Sequence, residues 1–247
     1  FRMLGSSQSI ASPNVVLNTI MAQELEEFAD ILEQSNDFQT DLQNLLHDTF
    51  KAHQRIIFNG NGYGEDWVQE AQRRGLSNLR DTVDCMPAYI DPKNIRLFAG
   101  HNILSETEMR ARYEIHLENY CKVTAIEAST LRDMVLRGIL PAVNRYTADL
   151  TQAILHKREL VVPCRVEEDL LQKLSALTGS LYDTMAAINE AMDKAPDAEG
   201  GIDAARYYRE EIVRRMEEAR QSIDQLESLT AAKYWPYPTY ADILFSV

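Results

Sequence analysis

The sequence predicts a mainly α-helical fold, on two observations. Helix-breaking residues are scarce, with 10 Gly and 8 Pro among 247 residues, whereas Ala, Leu, Glu, Gln, Arg and Met are plentiful. After residue 105, apolar residues recur in steps of three and four, which is the spacing of one helix face. We therefore expect packed helices that bury one face each.

Charge and cysteine content narrow the class of protein further. The net charge is −13, which argues against binding a nucleic-acid backbone, because that requires clustered Lys and Arg. No apolar run approaches the ~20 residues of a membrane span. The three cysteines are scattered and form no CxxC pair, which favours a reducing cytoplasm. We expect a cytoplasmic protein that binds neither nucleic acid nor membrane.

The first residues are typical of a strand that enters a turn. Phe1-Arg2-Met3-Leu4 alternates apolar and basic side chains, and Gly5-Ser6-Ser7 follows. A terminal strand needs neighbours with which to pair, so we expect this chain to be the C-terminal part of a longer protein. A helix is predicted next, from about Val15 to Gln34, with Pro13 near its start.

Short helices are predicted in the middle of the chain. A second helix should run from 38 to 57, followed by a turn at Asn59–Gly64 whose residues can take positive φ. Further helices are expected at 65–74, 78–86 and 92–100, the first ending at Gly75 as a C-cap. The G-x-G-x-G pattern of the turn lacks the spacing and preceding strand of a dinucleotide site, so we interpret it as structural.

One long helix should begin at Ser105, where Ser105 and Glu108 form a capping box. It should continue to about Leu160, with a kink where Gly138 and Pro141 interrupt it. Its apolar stripe consists of Met109, Tyr113, Leu117, Tyr120, Thr124, Leu131, Val135, Ile139, Val143, Tyr146, Leu150 and Ile154.

Two more helices should form an antiparallel hairpin that packs on the long helix as a three-helix bundle. The loop between them is 195–201. Their stripes are Val166, Leu170, Leu174, Leu177, Leu181, Met185, Ile188 and Met192, and then Ile202, Ala205, Tyr208, Ile212, Met216, Ala219, Ile223, Leu226 and Leu229. The tail after them is rich in Pro and aromatic residues, so we expect it to be non-helical at first and to be buried. Its apolar members are Trp235, Tyr237, Tyr240, Leu244, Phe245 and Val247.

Residues with the spacing of a known catalytic or metal site are hard to find. No two histidines lie at i and i+4, and no Glu-x-x-His pair is present, which argues against a helical metallo-oxidase. His116 is predicted to be a polar core residue, and the cysteines are predicted to pack as small apolar groups. Arg2 suits either a core ion pair or the grip of a substrate carboxylate.

Several blocks of the sequence resemble type III glutamine synthetase. They are 1–19, which is similar to the last catalytic strand and following helix of that family, 53–63, 114–120, 126–128 and the C-terminal block 235–247. The blocks occur in the family's order and together extend over the whole chain.

The resemblance implies an enzyme that joins glutamate and ammonia at the expense of ATP through a γ-glutamyl phosphate. Mg or Mn ions would hold the phosphates. Arg2 matches the family's Arg that binds the glutamate carboxylate, while the metal ligands and nucleotide pocket would lie upstream. No catalytic, metal or ATP-binding residue is therefore expected in this chain. The family's homo-oligomers imply stacked rings, dodecamer-like, with active sites between subunits.

The resemblance divides the chain into four segments. The end of an α+β catalytic domain would occupy 1–35, a helical connector 36–104, an antiparallel helical bundle 105–233 and an anchoring tail 234–247. The alternative is a non-catalytic helical scaffold that serves oligomerisation or binds a regulator, which near-heptad helices alone would favour. In either case the chain alone is predicted to be inactive and to bind no cofactor.

Overall fold

The computed structural model describes residues 9–245, apart from the side chains of residues 240, 241 and 245. Its helices are α1 (Ala11–Leu32), α2 (Phe38–Ala52), α3 (Glu65–Arg73), α4 (Thr82–Tyr89), α5 (Pro92–Gly100), α6 (Glu106–Met134), α7 (Leu140–Glu159), α8 (Arg165–Asp193), α9 (Gly201–Tyr207), α10 (Arg214–Leu229) and α11 (Tyr240–Phe245). No strand occurs within the described range, so the mainly α fold is confirmed. The strand predicted at Phe1–Leu4 lies outside that range.

Local sequence signals set the helix ends. The capping box is present, because Glu108 N–H donates to Ser105 Oγ at 3.3 Å and Ser105 N–H donates to Glu108 Oε2 at 2.8 Å. Asp37 accepts from the first turn of α2, and Pro92 is at the start of α5 as predicted. The helix predicted at 78–86 instead begins at Thr82, because the Asp81 carboxylate accepts the Asp84 N–H and caps it there.

Gly75 ends α3 through a Schellman motif. Its φ is +70°, and its N–H bonds Gln72 O at 3.0 Å while Leu76 N–H bonds Ala71 O at 2.9 Å. The glycines of the 59–64 turn differ from the prediction. The positive-φ glycines of the described chain are Gly75 and Gly201, and neither lies in that turn.

Contacts divide the chain into two compact units, 1–113 and 114–247. In the first unit, Ile95 and Phe98 of α5 form a small core with Met109 at the start of α6. α1 contacts α2 and α5, but Thr19 is its one buried residue within the described range. The apolar side chains of α1 are therefore mostly not buried in the described chain.

In the second unit, α8 packs along both α7 and α10. Leu174, Leu181 and Ile212 have no exposed surface, and Ile223 is 8% exposed, so the predicted hairpin core is confirmed. The prediction was wrong for Val166, which was placed on the buried stripe but is 75% exposed. It is at the second position of α8, before the helix reaches the packed part of the bundle.

Two π-helical turns interrupt the long helices. Val135–Ile139 separates α6 from α7, and Tyr208–Val213 separates α9 from α10. The predicted disturbance near Gly138 and Pro141 therefore takes the form of a π turn, after which Pro141 lies in the first turn of α7.

Val161 is held in a conformation that disfavours its side chain. It follows α7 with φ +57° and is 90% exposed. Its position matches that of Gly75, because Val162 N–H bonds Lys157 O at 2.8 Å and Val161 N–H bonds Arg158 O at 3.1 Å. A left-handed L-residue costs roughly 1–2 kcal/mol, and more when it is β-branched.

Val161→Gly should therefore stabilise the chain by about 0.5–1 kcal/mol, the relief of strain exceeding the extra flexibility of Gly in the unfolded state. Urea unfolding followed by circular dichroism measures this change. Val162→Gly is the control. Among the described non-Gly residues only Asn102 and Val161 have positive φ, so a glycine at 162 relieves no strain and should lower the free energy of unfolding. Equal destabilisation by both variants would contradict strain at Val161.

No helix in the described part of the chain is both long and apolar enough to cross a membrane.

Candidate functional site

The predicted substrate-binding residue, Arg2, lies outside the described residues. Within them, no group of three or more His, Cys, Asp or Glu side chains could hold a metal ion. His116 is exposed, which contradicts its prediction as a core residue. It precedes the buried Leu117 by one position, and a helix turns neighbouring residues about 100° apart, so His116 points away from the buried face.

Two of the three cysteines, Cys121 and Cys164, are buried and behave as packing residues, whereas Cys85 is exposed. Cys121 is fully buried, and burial raises the pKa of its thiol. The Cys164 thiol lies 3.1 Å from Glu168 Oε1, and this hydrogen bond raises its pKa. A raised pKa reduces the thiolate that nucleophilic chemistry needs.

The block 53–63, which resembles a family hallmark, is fastened to α3 by one arginine. The rings of Phe58 and Trp67 stack with centroids 4.1 Å apart, and the Arg74 guanidinium carbon lies 6.0 and 5.7 Å from their centroids. The same guanidinium donates to the carbonyls of Arg55 at 3.1 Å and Ile57 at 2.9 Å. We call this group the Arg74 clasp.

The carboxylate of Glu70 completes the clasp. It accepts from Arg73 at 2.7 Å and from Arg74 at 2.6 Å, and these bonds lower its pKa to about 2. Since the folded pKa is below its ordinary value of 4.5, the pairing stabilises the fold above that pH and is lost as the pH falls towards 2. The Arg74 side chain thus bonds Glu70 of α3 and two carbonyls of the 53–63 block, so the clasp orders the loop.

The C-terminal tail docks on the second unit through two tyrosines. Tyr234 donates to the Asp149 carboxylate and packs on Tyr146 with ring centroids 5.1 Å apart. Tyr237 donates its hydroxyl to Met134 O at 3.3 Å, at the start of the first π turn. Docking of the tail on its own bundle agrees with the prediction for its first half.

The second half of the tail differs from the prediction. Leu244 is 72% exposed and Ile243 is 63% exposed. The side chains of residues 240, 245 and 247 lie outside the described set. Burial of Leu244 against a neighbouring subunit remains a prediction.

Gly138 makes the docking of Tyr237 possible. A Cβ added at Gly138 would lie 2.5 Å from the Tyr237 hydroxyl oxygen and 3.1 Å from Cζ. The hydroxyl therefore fits a notch that exists because this turn of the helix carries no side chain. This use of Gly138 was not predicted from the sequence.

Gly138→Ala should displace Tyr237 and lose its hydrogen bond, worth about 1 kcal/mol, and this loss should offset the roughly 0.5–1 kcal/mol that Ala gains over Gly in a helix, so the free energy of unfolding should not rise. The displacement should also expose Trp235 and shift its fluorescence to longer wavelength. Gly179→Ala is a matched control, because Gly179 is inside α8 with nothing within 4 Å of an added Cβ. That substitution should stabilise by about 0.5–1 kcal/mol. Stabilisation by both variants would contradict the notch.

Beside this notch the docked tail forms one side of an open cavity of about 270 Å³, here called the tail cavity. Its apolar walls come from Leu131, Met134, Ile139, Ile223, Trp235, Tyr237, Pro238 and Ile243, and its charged residues are Arg220, Asp224 and Glu227 of α10. An apolar cavity with a few polar groups has the general character of a small-molecule site.

Comparison with known proteins places these features in a family. Residues 41–158 match the family model of the glutamine synthetase C-terminal domain. A glutamine synthetase of Butyrivibrio fibrisolvens is 35% identical over 214 residues, covering 86% of this chain and 31% of that protein. A type-3 glutamine synthetase of Dictyostelium discoideum is 32% identical, covering 99% of this chain and 35% of that protein.

A third relative, a glutamine synthetase of Bacteroides fragilis, is 28% identical and covers 100% of this chain and 35% of its own length. The matched region thus defines a helical domain of the glutamine synthetase class. The chain carries a glutamine synthetase C-terminal domain and is similar over most of its length to glutamine synthetases, among them a type-3 enzyme. It spans about a third of the length of the curated relatives that it matches.

Proposed function

We propose that the chain serves as the C-terminal helical part of a glutamine synthetase. Such an enzyme forms glutamine from glutamate and ammonia, with ATP converted to ADP and phosphate through a γ-glutamyl phosphate. One observation carries the proposal: proteins named glutamine synthetase align with 86% to 100% of this chain. The aligned part is a third of those proteins, so the activity belongs to the proposed whole enzyme.

In that enzyme Arg2 is the residue of this chain that we assign to the substrate. A guanidinium grips a carboxylate through two parallel hydrogen bonds, which suits glutamate. ATP and Mg or Mn ions are the co-substrate and cofactors of the proposed reaction. Among the described residues, no group of three or more His, Cys, Asp or Glu side chains could hold those ions.

The role proposed for the described residues is that of scaffold. The buried faces of α8 and α10 and the Arg74 clasp are features of a rigid support. Exposed apolar residues on α1, such as Ile20 at 42% and Leu25 at 60%, support burial against further protein, as in a homo-oligomer of stacked, dodecamer-like rings. A regulator-binding module is the second candidate, favoured by the tail cavity. A cytoplasmic location remains a prediction.

The division of labour has a direct test. We expect the purified 247-residue chain to catalyse no γ-glutamyl transfer, because one arginine cannot bind ATP and metal ions. The assay should use the chain alone beside the proposed full-length enzyme, with circular dichroism to show that the chain is folded. Turnover by the folded chain above a blank would contradict the scaffold role.

A further inference from the structure

The tail cavity has the size of a small ligand. Its volume is about 270 Å³, and a water molecule in the liquid takes about 30 Å³, so the cavity has the volume of about nine water molecules and accommodates a ligand of roughly nine heavy atoms. Two of its walls are the aromatic side chains of Trp235 and Tyr237, supplied by the tail, and the opposite walls are aliphatic. The body of a fitting ligand is therefore apolar and flat or narrow.

The charged residues at the cavity decide whether a fitting ligand is positively or negatively charged. Arg220 Nε lies 2.5 Å from Asp224 Oδ1, so its charge is balanced within α10. Glu227 also lines the cavity, and among the residues that the structure describes no Lys, Arg or His forms an ion pair with it. One carboxylate is left over beside two aromatic rings, in a chain of net charge −13.

We propose that the tail cavity binds a small amphipathic amine, with its apolar body between the tail aromatics and the aliphatic walls and its ammonium group at Glu227. An ammonium is attracted both by a carboxylate and by the faces of Trp and Tyr, which carry negative charge density. A ligand of the same body with a carboxylate would meet Glu227 with like charge, while Arg220 is already paired. The site thus distinguishes an amine from an acid by charge. This binding is a function separate from the proposed synthesis of glutamine.

The test uses the chain's two tryptophans. Trp67→Phe in the 247-residue chain leaves Trp235 as the reporter within the cavity wall. 2-Phenylethylamine is titrated against Trp235 fluorescence, and 3-phenylpropionate, which has a similar body and the opposite charge, is titrated in parallel. We expect a saturable change with the amine and binding of the acid at least about tenfold weaker, as expected for a charge-assisted hydrogen bond.

Two variants locate the ammonium group. Glu227→Gln should weaken amine binding about tenfold, measured by calorimetry as well as by fluorescence. Glu217→Gln removes the same charge from the same helix about 15 Å away along its axis, and it should leave binding unchanged. Equal effects of the two variants would show a general charge effect and overturn the site.

Two further outcomes would overturn the proposal. One is equal binding of the acid and the amine. The same holds if amine binding does not saturate up to about 10 mM, because the Kd would then be above about 10 mM. The other is amine binding that occurs only after residues 240–247 are deleted, because the cavity would then be filled by the chain's own end.

Discussion

Replacing Leu181 by Ala should lower the free energy of unfolding of the second unit by about 2–5 kcal/mol. The side chain has no exposed surface and lies on the face of α8 that also buries Leu174, Met185 and Ile188. Truncation removes apolar contacts and leaves a cavity that a close-packed bundle fills incompletely. Urea unfolding followed by circular dichroism gives the change as a shift of the midpoint of that transition.

Tyr182→Ala is the control for this result. Tyr182 is the next residue of α8 and is 60% exposed, so its truncation should change stability by no more than about 0.5 kcal/mol. If Leu181→Ala unfolded at the same urea concentration as the unchanged chain, the phase that we assign to α8 in the bundle would be wrong.

Replacing Arg2 by Ala in the proposed full-length enzyme should weaken the binding of glutamate far more than the binding of ATP. Loss of one partner of a desolvated charge pair costs about 2–5 kcal/mol, which corresponds to roughly thirtyfold or more in the apparent KM for glutamate. The prediction rests on the resemblance of the block 1–19, since Arg2 lies outside the described residues. Steady-state kinetics with each substrate varied in turn measures both constants.

Arg2→Lys separates charge from geometry in this experiment. An ammonium keeps the charge but cannot form the two-pronged grip of a guanidinium, so the lysine variant should recover only part of the loss. An unchanged KM for glutamate in both variants would remove Arg2 from the substrate site.

Helix positions and the bundle core could be predicted because their signals are local. The capping box at Ser105, the proline at Pro92 and the glycine at Gly75 each end or begin a helix through the hydrogen bonds that those residue types provide. The stripe that contains Leu174 and Leu181 is buried because helical spacing places both on one face.

The kink near Gly138 was predicted but its π-helical form was not, although the stripe carries a sign of it. Leu131, Val135, Ile139 and Val143 follow one another in three steps of four, and each such step rotates about 40° beyond one α-helical turn. An ideal helix would carry Val143 off the buried face, whereas the π turn Val135–Ile139 absorbs the excess and keeps it fully buried. A run of consecutive steps of four could have indicated the turn.

The rest of the candidate site depends on tertiary contacts that sequence spacing does not encode. The notch at Gly138 requires Tyr237, about a hundred residues later in the chain, to reach the helix surface. The positive φ of Val161 opposes the preference of its residue type. Likewise, Glu227 acquires its significance from the tail aromatics that line the same cavity, which no helical periodicity predicts.

If this chain works as part of a glutamine synthetase, the proposed full-length enzyme should form glutamine. The measurement is the rate of glutamine and ADP release with glutamate, ammonia, ATP and Mg or Mn ions supplied, and with each omitted in turn. Because the proposed reaction consumes one ATP for each glutamine, we expect equal amounts of glutamine and ADP, formed only when every component is present. A folded full-length protein that releases ADP without glutamine, or neither product, would contradict the proposed function.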